Sequence, residues 1–249
     1  MKNSLGFRLK LGIIAPSTNT SVQPEMDDMR PYGVTNHFGR LYIPDDPIRN
    51  DDDFNRMMDN IRSSMDEAVR SVMSCHPDRL VLGMSSETFW DGLEGSNRLM
   101  ERMHQLTGGV PITMGSDAVR AALKCYGNIH RIAVITPYMP VGDEQVRRYF
   151  TDCGYEITTL AGLKCNSPAQ IAHVSERMLR DTINKINNPS IEAVVQVGTN
   201  LAMAKLAGMA EFWLDKPVIA INTAIYWHAL RASGIKDRVL GFGSLLIDY

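Results

Sequence analysis

Two short segments of the sequence end in polar residues whose side chains could act on a substrate. Residues 80–92 read LVLGMSSETFWDG, and residues 194–204 read VVQVGTNLAMA. Each begins as an apolar run typical of a buried strand and stops at small hydroxyl residues before a helical pattern starts. Ligands of open α/β sheets bind where strands end at their carboxyl edge. The residues that we expect to bind a ligand there are Ser85, Ser86, Gly198, Thr199 and Asn200.

Glu87 and Tyr138 are the titratable candidates beside these turns. A general base needs a pKa near the working pH, and partial burial raises that of a glutamate. The alternative for Glu87 is a first-turn carboxylate that the helix dipole favours. The phenol of Tyr138, in the turn TPYMPVGDE, could donate to a substrate oxygen, or its ring could simply pack at an interface. We take Glu87, Tyr138 and Ser85 as the catalytic candidates.

A third polar turn, PSTNTSVQPE at residues 16–25, offers several short donors before a helix. Such a group of hydroxyls and free helix amides suits a carboxylate or phosphate. The alternative is plain helix capping, for which Ser, Thr and Asn are the preferred residues. We take Ser17, Asn19 and Thr20 as candidate substrate-binding residues.

The composition excludes several classes of function. The chain has 249 residues, 44% hydrophobic and 22% charged, with a net charge of -2 and dispersed Lys and Arg, so we expect no nucleic-acid partner. No apolar run reaches the roughly 20 residues of a membrane helix, and the start lacks a signal-peptide core. The four cysteines form neither a disulfide framework nor a zinc pattern. We expect no metal, no cofactor, no membrane contact and a cytoplasmic location.

The apolar pattern alternates strands with helices, which predicts an α/β fold with parallel sheets. The predicted strands are 10–15, 38–43, 79–84, 111–114, 131–136, 156–160, 193–197 and 218–221. The predicted helices are 53–74, 95–107, 117–125, 142–153, 169–187, 201–213 and 223–232. Residues 32–53 also contain two prolines and the acidic run 51–53, which predicts that the segment includes a surface loop. The acidic run is interpreted as a solvated helix start, in preference to metal binding.

An internal repeat divides the chain. VPITMGSDAVRAALKCYG parallels KPVIAINTAIYWHALRASG, LGIIAPS parallels IAVITPY, and LVLGMSS parallels VVQVGTN, in the same order. We infer two lobes related by a pseudo-twofold axis, each a four-stranded parallel sheet flanked by helices. Lobe one is expected at 1–115 plus 222–249 and lobe two at 116–221, with the site in the cleft between them.

These segments resemble the aspartate/glutamate racemase superfamily, in its maleate cis–trans isomerase and arylmalonate decarboxylase branch. The resemblance is carried by IAPSTNTSVQPE, GMSSETFWDG, VITPYM, VVQVGTNLAM, PVIAINTAIYWHAL and GFGSLL, and it covers almost the whole chain. It implies two pseudo-symmetric α/β lobes with the site between them. It also implies that Ser17 and Asn19 hold one carboxylate. The residues that would stabilise a second carboxylate or an enolate-like oxyanion are Ser85, Ser86, Tyr138, Thr199 and Asn200.

The resemblance also implies cysteine thiols at the two strand ends: racemases and isomerases use both, and the decarboxylases keep one, on the second lobe. This chain has neither. Met84 and Gly198 stand at those positions. Cys165, on a loop after a strand, is a conceivable displaced thiol, although a cysteine without function is the preferred interpretation.

We therefore expect a cofactor-independent isomerase or lyase acting on a small carboxylate through an enolate-like or oxyanion intermediate, with Glu87 as acid/base. On that hypothesis Glu87→Gln abolishes turnover. One alternative is a hydratase or hydrolase in which Glu87 activates water, and another is a non-catalytic carboxylate-binding or sensing protein. A homo-oligomer is expected because such assemblies are common among proteins in general.

Overall fold

The protein, described over residues 3–249 by a computed structural model, alternates strands and helices along the chain. The strands are β1 (Leu9–Pro16), β2 (Val34–Leu41), β3 (Arg79–Leu82), β4 (Ile112–Thr113), β5 (Arg131–Thr136), β6 (Glu156–Gly162), β7 (Ala193–Gln196) and β8 (Val218–Ala220). The helices are α1 (Val22–Asp28), α2 (Asp51–Met73), α3 (Gly92–Thr107), α4 (Gly115–Cys125), α5 (Pro140–Asp152), α6 (Glu176–Ile186), α7 (Ala204–Leu214), α8 (Ile221–Ala232) and α9 (Ser244–Asp248). Two 3-10 turns lie at Ser86–Phe89 and Gln170–His173.

The strands form two four-stranded sheets of the same topology. The orders are β2-β1-β3-β4 and β6-β5-β7-β8, and every neighbouring pair is parallel. Adding four to each strand number of the first sheet gives the second, so the sequence repeat is a repeat of structure. The predicted fold class is confirmed: two four-stranded parallel sheets flanked by helices.

The central strands are buried along their whole length because helices cover both faces of each sheet. All four residues of β3, RLVL, and all four of β7, AVVQ, are buried. Such strands are continuous apolar runs rather than alternating ones. Each stops where the backbone reaches the carboxyl edge of its sheet, so the polar turns after β1, β3, β5 and β7 lie at the ends of the two inner strands of each sheet.

Helix α2 covers the first sheet and extends to the site. Asn50 caps it by accepting from the backbone N–H of Asp53 at 2.9 Å, and the acidic run 51–53 occupies its first turn, as predicted. Buried residues recur at helical spacing along it, beginning with Phe54, Met58 and Ile61. The N-terminal turns of α2 thereby bring apolar side chains to the end of the sheet where the strands stop.

Three predictions of secondary structure are wrong in detail. The predicted helix 169–187 is a 3-10 turn followed by α6, because Ser175 is extended and its hydroxyl caps the new helix by accepting from Met178 N–H at 3.2 Å. Strand β2 begins at Val34, four residues before the predicted start, since it pairs with β1 along the full length of both strands. Helices α1 and α9 are absent from the predicted helices. They have only seven and five residues, which is too few for an apolar period to be visible in the sequence.

The division of the chain into lobes stays a prediction. Helix α8 packs against α4, with the side chains of Ile221 and Ile225 beside Gly115.

Within the described residues, no helix is long and apolar enough to span a membrane.

Candidate functional site

A small cavity lies between the carboxyl ends of β1 and β3 in one sheet and β5 and β7 in the other. Its volume is about 50 Å³. One side carries hydroxyl and amide groups from the four strand-end turns, and the other is apolar. The cavity contains seven of the ten site residues predicted from the sequence: Asn19, Ser85, Ser86, Tyr138, Gly198, Thr199 and Asn200.

The polar side is organised around Ser85. Its Oγ lies 2.8 Å from the Oη of Tyr138 and accepts a hydrogen bond from the backbone N–H of Thr199 at 3.2 Å. Ser85 follows β3 and Tyr138 follows β5, so the pair joins the two sheets. A peptide N–H can only donate, which leaves the Ser85 hydroxyl proton free to point at Tyr138. The Tyr138 proton is then available to a molecule in the cavity.

Tyr138 is a neutral phenol held in place by packing and by its backbone. Burial raises its pKa above the ordinary value, so it donates rather than accepts a proton at neutral pH. Its ring packs edge-on against Phe54 with centroids 5.4 Å apart. Its backbone N–H donates to Thr136 Oγ1 at 3.2 Å, and that hydroxyl donates to Asp143.

Asn19 and Asn200 join the two halves of the site instead of presenting free amides to the cavity. Asn19 Oδ1 accepts from the backbone N–H groups of Ser21 and Val22, and its Nδ2 donates to Thr199 Oγ1 at 3.1 Å. Asn200 Oδ1 accepts from the backbone N–H of Thr20 at 2.9 Å, and its Nδ2 donates to Pro168 O at 2.9 Å. The capping alternative therefore applies to Asn19, since both its polar atoms are engaged by protein.

Two hydroxyls in the cavity wall make no hydrogen bond to any other described residue, those of Thr18 and Ser86. Thr18 belongs to the polar turn at residues 16–25 but was not among the predicted ligands. Its signal was present, because it is a hydroxyl residue directly after β1. These two groups are the donors left for a carboxylate.

Glu87 does not face the cavity, which corrects the expectation from the sequence. Its carboxylate accepts from Arg62 Nε at 3.0 Å to each oxygen, and it lies in a separate surface depression beside Trp90. The guanidinium of Arg62 also stacks over the Trp90 ring at 5.1 Å. Burial raises the pKa of Glu87, and the bonds to Arg62 oppose that rise. The alternative of Glu87-activated water has no support in this geometry.

Ser17 and Thr20 also lie outside the cavity wall. Both are exposed, and each contacts protein instead. Ser17 Oγ donates to Ile43 O and accepts from Ile43 N–H, both at 3.1 Å, and Thr20 donates its backbone N–H to Asn200. Ser17 thus fixes Ile43, which lines the cavity, and acts on a ligand only through that residue.

None of the described residues that line the cavity carries a thiol. Met84 and Gly198, which stand where the resemblance implies cysteines, are both part of the cavity wall. Gly198 has φ +108°, and a Cβ there would lie 2.4 Å from Pro137 Cδ, so the turn admits no side chain. Cys165 donates its backbone N–H to Pro137 O, yet its thiol is outside the wall, and burial raises its pKa to about 11.

The apolar side of the cavity is contributed by α2, by the segment after β2 and by the segment between β6 and α6. Its members are Ile43, Met57, Ile61, Pro168 and Ile171. Sequence reasoning missed this wall because apolar residues at helical spacing are indistinguishable from ordinary core. The wall surrounds the polar groups with surface that offers no hydrogen bond.

Comparison with known proteins identifies the family. The model of the arylmalonate decarboxylase family matches residues 11–246 of the chain. The chain belongs to the arylmalonate decarboxylase family. The predicted placement in the maleate isomerase and decarboxylase branch is thereby confirmed.

The chain is also similar to curated maleate isomerases, and its fold is that of solved isomerase and decarboxylase structures. The chain is 22% identical over 250 residues to a maleate isomerase of Geobacillus stearothermophilus, covering 95% of this chain and 96% of the relative. A Nocardia farcinica maleate cis–trans isomerase, solved as a Cys-to-Ser variant with a covalently bound succinylcysteine intermediate, superposes with a TM-score of 0.87 at 18% identity, covering 97% of this chain and 99% of that one. An arylmalonate decarboxylase double variant in its liganded form gives 0.81 at 20% identity, covering 96% and 99%.

Residues 3–249 contain no group of three His, Cys, Asp or Glu side chains placed to hold a metal ion. Of the sixteen residues in the cavity wall, Tyr138 alone has a side chain that titrates. The site can donate hydrogen bonds and one proton, and it has no side chain that takes a proton at neutral pH.

Proposed function

We propose that this member of the arylmalonate decarboxylase family is a cofactor-independent decarboxylase of small malonate-type dicarboxylates with an apolar substituent. One observation carries the proposal. The titratable group in the cavity wall is a neutral phenol, Tyr138, hydrogen-bonded to Ser85, and no base lies beside it.

This arrangement favours decarboxylation over the other reactions considered. Isomerisation or racemisation by proton transfer begins with removal of a proton, which needs a base. Isomerisation through a covalent adduct, as in the succinylcysteine intermediate of the N. farcinica enzyme, needs a thiol. Decarboxylation needs neither, because loss of CO₂ itself generates the enediolate, and the protein then supplies only donors and one proton.

The proposed reaction breaks one carbon–carbon bond and then transfers one proton to carbon. The bond between the α-carbon and one carboxylate breaks, CO₂ leaves, and the electron pair stays on the remaining carboxylate and α-carbon as an enediolate. Tyr138 transfers its phenolic proton to the α-carbon, and the Ser85 hydroxyl, fixed by Thr199 N–H, stabilises the phenolate. Water returns a proton to Tyr138. The product is a monocarboxylate.

The surroundings lower the barrier in two ways. The hydroxyls of Thr18 and Ser86 are free to donate to the carboxylate that becomes the enediolate, and preorganised donors of this kind contribute several kcal/mol. In this proposal the leaving carboxylate lies against the apolar side chains of Ile43, Met57 and Ile61, which offer it no hydrogen bond. That carboxylate loses its charge as CO₂ forms, so an apolar wall favours the transition state over the bound substrate.

The cavity volume limits the substrate. About 50 Å³ corresponds to the space of about three or four buried waters. Malonate itself has seven non-hydrogen atoms, so the cavity wall must move to admit any of these substrates. It must move least for a small substituent such as methyl or ethyl, and most for an aryl ring.

A panel of carboxylic acids tests the proposal. Purified protein is incubated with methylmalonate, ethylmalonate, phenylmalonate and maleate, and products are read by mass and by CO₂ release. We expect CO₂ from at least the methyl- and ethyl-substituted malonates, and no fumarate from maleate. Fumarate formation without CO₂ release would contradict the proposal. Binding of malonates without any product would identify a non-catalytic carboxylate-binding protein.

A further inference from the structure

Glu25 is a partly buried carboxylate that reaches from α1 to the turn after β7 without touching the cavity. Its Oε1 accepts from the backbone N–H of Ala204 at 2.8 Å, at the first residue of α7. Its Oε2 accepts from Asn222 Nδ2 at 2.6 Å. The residue therefore contacts two elements that follow strands of the second sheet.

Asn222 links Glu25 to Thr199 because its side-chain amide bonds to both residues. The second proton of Asn222 Nδ2 is donated to Thr199 O at 2.9 Å. Asn19 donates to the hydroxyl of Thr199, and the backbone N–H of Thr199 donates to Ser85. Every polar atom of Thr199 is therefore bonded. Thr199 is thus held at its carbonyl through Glu25 and at its side chain through Asn19.

We infer that Glu25 is a positioning residue that acts through Asn222 and the start of α7 to hold the Thr199 N–H on Ser85 Oγ. The inference rests on the proposed function, since Ser85 supports the proton donor Tyr138 there. Without the carboxylate, Asn222 loses the acceptor that orients its amide. The Thr199 turn is then free to shift away from Ser85, and Tyr138 loses the polarised hydroxyl that stabilises its phenolate.

Hydrogen bonds from Asn222 and from backbone N–H groups stabilise the charge of Glu25, which forms no ion pair with any described residue. It lies at the N-terminus of α7, where the helix dipole favours an anion. Lys205, whose charge also favours the ionised form of Glu25, is bonded to Asp28 at 2.6 Å. Burial raises the pKa of Glu25, and the bonds from Asn222 and Ala204 oppose that rise. A neutral amide at this position matches the shape but has a single acceptor oxygen, so its NH2 group must face either the Ala204 N–H or the Asn222 Nδ2, and one of the two bonds is lost.

A double-mutant cycle in the substituted-malonate assay tests the inference. Glu25→Gln is expected to lower kcat about tenfold with KM within about twofold, because an interaction made in the transition state is lost. Combined with Ser85→Ala, it is expected to cause no further loss, since Glu25 acts through Ser85. Additive losses in the double variant would contradict the inference. If Glu25→Gln does not fold, Asn222→Ala replaces it with the same expectation.

Amide hydrogen exchange gives a readout that does not depend on turnover. Glu25→Gln is expected to speed exchange of the Thr199 N–H at least about tenfold, because its hydrogen bond to Ser85 weakens. The matched control is Glu211→Gln, which removes a carboxylate on α7 that, like Glu25, accepts a backbone N–H, in this case from Ser244 at 2.7 Å, and that makes no hydrogen bond to Asn222 or Thr199. The control should leave Thr199 unchanged.

The turnover assay and the exchange measurement distinguish failure of the proposed function from failure of the inference about Glu25. If no acid in the panel is turned over but Thr199 exchange responds to Glu25, the proposed function fails and the positioning stands. If malonates are turned over while Thr199 exchange is unchanged, the inference about Glu25 is wrong.

Discussion

Ser85 Oγ and Tyr138 Oη lie 2.8 Å apart, one at the end of a strand of the first sheet and the other at the end of a strand of the second. Neither sheet alone contains the pair. The proton donor and the hydroxyl that supports it therefore exist only in this relative position of the two sheets, which Asn19 and Asn200 fix through hydrogen bonds to the opposite strand-end turns.

Ser85→Ala is expected to lower kcat for substituted malonates by about ten- to a hundredfold, because the phenolate of Tyr138 loses its hydrogen-bond donor. The matched control is Ser96→Ala, which removes one hydroxyl of another buried pair, Ser96 Oγ and Ser116 Oγ at 2.8 Å. Each variant should lose about 1 kcal/mol of unfolding free energy. Steady-state kinetics then separates them: equal activity in the two variants would show that Ser85 has only a structural role.

Glu87→Gln is expected to keep kcat within about threefold of wild type, the opposite of the expectation from the sequence. The carboxylate is bonded to Arg62 outside the cavity, so the amide leaves Tyr138 and Ser85 in place. The measurement is kcat alongside a thermal unfolding curve. A correctly folded Glu87→Gln protein without activity would restore Glu87 as the acid/base.

Alkylation with iodoacetamide at pH 7.5 is expected to leave activity unchanged. Cys165 is the cysteine whose backbone contacts a residue of the cavity wall, Pro137, and burial raises its pKa to about 11. Only about one thiol in 3,000 is then ionised at that pH, and the thiolate is the reactive form. Mass spectrometry reports which cysteines react. Inactivation in step with modification of Cys165 would contradict the absence of thiol chemistry.

Asp143 should make the protein more stable at pH 5 than at pH 7. Burial raises its pKa from 3.8 to about 6, so the folded state holds the proton more tightly than the unfolded chain. Its stabilising contribution is complete below pH 3.8 and is lost as the pH rises through 6. Asp143→Asn should remove this part of the pH dependence in urea unfolding, whereas Asp181→Asn, at an exposed position of α6, should keep it. Parallel curves for wild type and Asp143→Asn would contradict the assignment.

The fold was predictable because its signals are local. Apolar runs such as LVLG and VVQV, each followed by a helical pattern and repeated in the same order, require parallel sheets, and the strand ends follow from them. The placement of Ser85, Thr199 and Tyr138 in one cavity needed only the rule that ligands bind at those ends.

The orientation of Glu87 was not predictable in this way. Residues Ser86–Phe89 form a 3-10 turn, in which successive side chains point about 120° apart. Because Ser86 faces the cavity, Glu87 turns toward Arg62, 25 residues earlier in the chain. The apolar wall and the contact between Glu25 and Asn222 likewise depend on residues distant in sequence. Cytoplasmic location and oligomeric state stay predictions.

Tyr138→Phe is the most direct test of the central claim that this phenol protonates the enediolate. Methylmalonate is incubated with wild type and the variant in D₂O, and CO₂ release and deuterium in propionate are measured. Wild type should incorporate one deuterium at the α-carbon for each CO₂ released. The variant should fold normally and release CO₂ at least about a hundredfold more slowly, the usual contribution of a positioned acid. CO₂ release at the wild-type rate by Tyr138→Phe would contradict the claim.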